Sequence, residues 1–149
     1  MPDWSRFTFG ITIRTPDTRV SSGQPEPELG EPARHDRVPI YARALELATQ
    51  IHAVVEATDA ERYFVRDQLD RKSAVVPQLI AQGLATAEMT ARRALYVRAR
   101  EALTDCATLL DMLSHRATVA LDDLEPARAL ALALLDELLP LTVPPLRTR

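Results

Sequence analysis

The sequence predicts an all-α fold: an up-down four-helix bundle with an N-terminal extended extension. Three observations carry this. From Val38 onward, apolar residues recur at steps of three and four. Apolar content is 46% but aromatic content only 5%, with four glycines, so the core is aliphatic and the composition favours helices over a sandwich or barrel. The periodic segments are separated by short stretches that carry capping and stop residues.

Residues 1–37 differ from the rest. Phe7, Phe9, Ile11 and Ile13 alternate with Thr8, Gly10, Thr12 and Arg14, which predicts a short strand over 6–14 with one apolar face. Turn and linker residues follow at 15–18 and 21–27. A single strand does not stand alone in water, so it must pair with another segment or a partner, or stay mobile.

The bundle is expected over 38–141. In helix 1 the stripe is Ile40, Ala44, Leu47, Ala48, Ile51 and Val55, with Pro39 in the first turn. Thr58 and Glu61 read as a capping box opening helix 2. Its inner face continues through Val65, Leu69, Val76, Leu79 and Ile80 to Gly83, read as the C-terminal stop. Pro77 stands inside this helix, where proline costs about 3 kcal/mol unless packing holds it.

Thr86 reads as the cap of helix 3. Two stripes follow on adjacent faces, Leu95, Ala99, Ala102, Cys106, Leu109, Leu113 and Tyr96, Leu103, Leu110. Helix 4 is expected to start at Asp122 or Asp123 and to stop at Pro140, leaving a C-terminal tail over 142–149. Helix 4 is apolar almost all round over 130–135, more than one buried face requires, and this surplus argues for a homo-oligomer unless residues 1–37 cover it.

The 149 residues suit one domain, and the net charge of −3 is not that of a basic nucleic-acid-binding domain. The seventeen Arg against one Lys read as base composition rather than mechanism. The lone Cys106 excludes an intramolecular disulfide. No signal peptide is apparent, and the longest apolar run, 129–135, is far below the ~20 residues of a membrane span. A cytoplasmic protein is expected.

No catalytic, cofactor or metal signature stands out. His35, His52 and His115 lack a Glu three residues before them, as a di-iron bundle requires. Asp111 and His115, at i and i+4, read as a solvated face or helix end. Cys106 reads as a small buried hydrophobe, and Asp67 and Asp70 as salt-bridging partners of Arg66 and Arg71. There is no phosphate loop and no nucleophile elbow. The cluster Arg92, Arg93, Arg98 and Arg100 is the one candidate interface for phosphate, with Arg92, Arg93 and Arg100 near one line of the helix. Glu88, Glu101 and Asp105 offer these arginines partners within the same helix.

Certain residues carry a likeness to a known family. These are Tyr41-x-x-Ala44-Leu45-Glu46-Leu47-Ala48, then Asp67-Gln68-Leu69-x-Arg71 with Ser73 and Val76-Pro77, then Ile80-Ala81-x-Gly83. Ala102-Leu103-Thr104-Asp105 and Leu109-Leu110 follow. In order and spacing, 38–140 resembles the 23S rRNA intervening-sequence family of bacterial four-helix-bundle proteins. The resemblance implies a ring-shaped homopentamer. It implies a basic, nucleic-acid-binding partner of a reverse transcriptase only in the branch of retroelement accessory variability determinants. Relatives tend to be basic after Gly83, where this chain has Leu84-Ala85-Thr86-Ala87-Glu88, which counts against nucleic acid as a partner.

The expectation is therefore a non-enzymatic, homo-oligomeric scaffold or adaptor that recruits a protein partner through residues 1–37. The alternative is a nucleic-acid-binding accessory protein of a reverse transcriptase. Leu69, Val76, Pro77, Ile80, Gly83, Leu103 and Leu110 are expected to set its shape and assembly.

Overall fold

A computed structural model describes residues 34–116 and 119–144. The predicted strand over 6–14, with the rest of 1–33, lies outside the described residues, as do 145–149. A 3-10 turn, His35–Arg37, precedes four helices: α1 Pro39–Ala57, α2 Tyr63–Ala85, α3 Met89–His115 and α4 Leu121–Thr142. Among the described residues there is no strand. The protein is all-α, with α1 and α3 each packed against both α2 and α4. The links between helices are short, so consecutive helices run antiparallel. The end of the bundle with the α1 N-terminus therefore also holds the α2 C-terminus, the α3 N-terminus and the α4 C-terminus.

The helical stripes form one aliphatic core. Leu47, Ile51, Leu69, Ile80, Leu103 and Leu110 are fully buried in it. Burying a side chain of that size contributes about 1.5–3 kcal/mol. Val76 and Pro77 are buried too, so α2 crosses its proline without a break, with packing on that face. The residues expected to set the shape thus sit inside the protomer, out of reach of a second copy.

Several expected boundaries are corrected. Thr58 and Glu61 form no capping box. The Thr58 hydroxyl donates backward to the Val54 carbonyl at 2.7 Å, which finishes α1. A 3-10 turn, Ala60–Arg62, then intervenes, and α2 starts at Tyr63. Thr86 repeats this pattern by donating to the Gln82 carbonyl at 2.6 Å, so it ends α2 rather than starting α3. The cap of α3 is Glu88, whose two carboxylate oxygens accept from the N–H groups of Thr90 at 2.8 Å and Ala91 at 2.6 Å. A Thr hydroxyl that finds a carbonyl one turn back has no need of the next helix.

Gly83 does not stop α2, which runs on to Ala85. It lies beneath Tyr96 of α3 instead. Pro140 does not stop α4 either, since the helix continues to Thr142. Pro140 removes one intrahelical donor close to the end of α4, and the last turn is secured from outside. Arg100 donates to the Thr142 hydroxyl at 3.1 Å, and that hydroxyl donates to the Leu139 carbonyl at 2.8 Å.

Candidate interaction surfaces

The arginine cluster of α3 is where the sequence placed a phosphate-binding face. Two of its four members have hydrogen-bond partners inside the protein. Arg92 is half-buried, and its Nε donates to the Thr86 carbonyl at 2.7 Å, across the link from α2. Arg100 is half-buried against the end of α4, with its Nη1 on Thr142 and its Nε enclosed without a partner. Arg93 has neither a hydrogen bond nor an ion pair among the described residues, and Arg98 is exposed. The sequence set the three on one line, and the structure gives them different tasks.

Arg92 and Arg100 belong to a wider pattern. Arg66 of α2 donates through Nε to the Val55 carbonyl at 3.0 Å, at the end of α1. Three of the four helix C-terminal ends are thus met by an arginine from a neighbouring helix. The last carbonyls of a helix have no partner within it, and a glycine after the helix often turns the chain back to satisfy them. Gly83 is the only glycine from residue 34 onward, and here arginines add donors to the Val55 and Thr86 carbonyls and to the Thr142 hydroxyl. Composition alone gave no hint that these side chains cap.

The acidic residues also pair across helices rather than along α3. Asp105 bonds Lys72 of α2 at 2.8 Å, and Asp111 bonds Arg128 of α4 at 2.6 Å. Arg43 of α1 bonds Glu137 of α4. The Asp105 carboxylate raises the Lys72 pKa, and Asp111 does the same for Arg128. Asp67 bonds Arg71 at 2.9 Å, as expected, whereas Asp70 lies 3.5 Å from His52 of α1. Asp111 is therefore engaged with an arginine and not with His115, and no group of three metal-ligating side chains gathers among the described residues. Cys106 is fully buried, and burial pushes its thiol up to about 12.

The surfaces left apolar were only partly foreseen. Leu132 and Leu139 share one face of α4 at a step of seven, and Val143, the residue that caps its end, continues it; they are 40%, 45% and 53% exposed. Asp136 interrupts this face. Ala129 and Ala133 are exposed as well, so part of the surplus predicted for helix 4 is left uncovered by the other described residues. Met89 and Val97 add to it from α3, and Tyr63 and Phe64 project at the start of α2, each 71% exposed. Met89, Tyr63 and Phe64 were missed because they lie at helix starts, outside any stripe.

A cleft of about 280 Å³ opens between the start of α3 and the end of α4, lined by Met89, Arg92, Arg93, Tyr96, Leu141 and Val143 together with Pro140. A second of about 310 Å³ runs between α2 and α3, beside the Lys72–Asp105 pair.

The fold and its surfaces define an all-α, four-helix protein with apolar side chains left open on α3 and α4. No helix among the described residues is long and apolar enough to cross a membrane. Compared with known proteins, the chain matches no family and no curated sequence.

Proposed function

We propose that the protein is a non-enzymatic, homo-oligomeric scaffold or adaptor, assembling through α3 and α4 and recruiting a protein partner through its N-terminal extension. The observation that carries this reading is the exposed apolar face of Leu132, Leu139 and Val143. Three large apolar side chains at helical spacing suit a contact with another helix better than contact with water. A ring of five copies is the form implied by the resemblance to the intervening-sequence proteins, and a cytoplasmic setting accompanies it.

Light scattering behind a sizing column tests the assembly. A mass near five times 16.6 kDa supports the pentamer. Replacement of Leu132 and Leu139 by Glu should then release single chains with unchanged helicity. A wild-type protein that runs as one chain would overturn the reading.

The nucleic-acid reading draws less from the geometry, because Arg92 and Arg100 already serve helix ends. It would require salt-sensitive binding that falls when Arg93 and Arg98 are replaced by Gln.

A further inference from the structure

The cleft between the start of α3 and the end of α4 has an apolar floor and a cationic rim. Met89, Tyr96, Leu141 and Val143 supply the floor, and Arg92 and Arg93 the rim. Met89, Leu141 and Val143 are each about half exposed or more. The neighbouring carboxylate, Glu88, is held by the Thr90 and Ala91 amides and is committed to capping α3. The rim thus favours an acidic occupant that also offers an apolar side chain.

The chain carries such a segment. Residues 25–32 read Pro-Glu-Pro-Glu-Leu-Gly-Glu-Pro. Glu26, Glu28 and Glu31 are its only charged residues, and Leu29 is its only large apolar one. The prolines restrict the unbound chain, which lowers the entropy lost on docking. The C-terminal residues 145–149 carry Arg147 and Arg149, which would set like charges against the rim.

Reach is sufficient. Arg34 leads into the turn His35–Arg37, which packs against α1 and α2. His35 meets the Tyr41 ring edge-on at 4.8 Å, which places that turn by the α1 N-terminus. The cleft lies at the same end of the bundle, on the α3 and α4 side. Five chain steps lead from Leu29 to Arg34 and span up to roughly 17 Å when extended. Neighbouring helix axes lie about 8–10 Å apart, so an extended segment of this length exceeds one interhelical spacing.

We propose that residues 25–32 dock in cis into this cleft, with Leu29 on the floor formed by Met89, Leu141 and Val143, and Glu28 against Arg93. Docking covers apolar surface at the bundle end and fixes the point from which residues 7–13 project. It also sets a carboxylate where Arg93 would otherwise meet another anion. It shares Val143 with the face assigned to assembly and leaves Leu132 and Leu139, outside the cleft, open to a second copy.

Disulfide trapping in the full-length chain tests it. Cys106 is buried with its thiol pushed up to about 12, so two introduced cysteines react without competition from it. Under mild oxidation, Leu29→Cys with Val143→Cys should close an intrachain disulfide about tenfold faster than Leu29→Cys with Glu56→Cys, whose second thiol lies at the opposite end of the bundle. Equal rates would overturn the proposal, as would no crosslink to position 143. Disulfide-linked dimers from the Leu29→Cys, Val143→Cys protein would overturn it too, by assigning the cleft to a second copy. Adding Arg93→Glu should slow closure about threefold, and adding Glu28→Arg to that variant should restore it, the scale expected for one exposed ion pair. A rate indifferent to both changes would remove the assigned register.

Discussion

The ring of Tyr96 occupies the space that a side chain on residue 83 would need. A Cβ built on Gly83 would stand 2.5 Å from Tyr96 Cε1 and 3.0 Å from both Cδ1 and Cζ. Tyr96 is itself only 5% exposed, so the ring has little room to withdraw. Glycine at this position lets α2 and α3 approach, and it does so inside a helix rather than at its end.

Gly83→Ala is therefore expected to destabilise the protein by about 1–3 kcal/mol through overpacking, although alanine is the better helix former by about 1 kcal/mol. Urea midpoints of Gly83→Ala, Tyr96→Leu and the double variant measure this. Smaller damage from Gly83→Ala in the Tyr96→Leu background would confirm the contact. Equal damage in both would show that the cost lies elsewhere.

Arg66→Ala should cost about 1.5 kcal/mol, the low end for a hydrogen bond from a charged donor. The loss should be local. Amide exchange in the last turn of α1 should quicken while the centre of α3 stays protected, because the Val55 carbonyl keeps only the Thr58 N–H as donor. Uniform quickening would show that Arg66 supports the whole bundle instead.

Glu88 gives an acid-sensitive helix start. The hydrogen bonds from the Thr90 and Ala91 amides hold its carboxyl below its ordinary value of 4.5. A lowered folded-state pKa stabilises the fold above the unfolded value and loses that contribution as pH falls through the folded one. Stability should therefore decline below about pH 4.5, and the decline should be shallower in Glu88→Ala. Thermal melts from pH 6 to pH 3 compare the two proteins. Parallel curves would separate Glu88 from the acid response.

Cys106 should be inert while the protein is folded. With its thiol pushed up to about 12, the thiolate fraction at pH 8 is about one in ten thousand. Maleimide or disulfide reagents should label it only in denaturant, where the thiol returns to its ordinary range. Prompt labelling of the native protein would mean that α3 opens locally around this residue.

Much of the architecture was legible because helical periodicity is a local property. Leu47, Ile51, Leu69, Ile80, Leu103 and Leu110 each fall on a stripe, and all of them are core. The boundaries were less legible. Thr58 and Thr86 look like N-caps in sequence, but each hydroxyl turns back to the helix it follows. A threonine beside a helix end has carbonyls behind it and amides ahead of it, and spacing does not choose between them. The candidate surface was half legible. The apolar excess of helix 4 announced exposed leucines, while Met89, Tyr63 and Phe64 lie outside any repeat.

The sequence by itself determined an all-α chain, its four helical segments and the residues that fill its core. Burial on one face of a helix is written in intervals of three and four residues, which no later packing alters. The tertiary structure decided what those intervals do not contain. It set Arg92 on the Thr86 carbonyl and Arg100 on Thr142, paired Lys72 with Asp105, and placed Tyr96 over Gly83. Each of these contacts joins two helices, or a helix to the link before it. Which groups meet depends on how the helices are rotated and how closely they approach, and those quantities exist only once the bundle has formed.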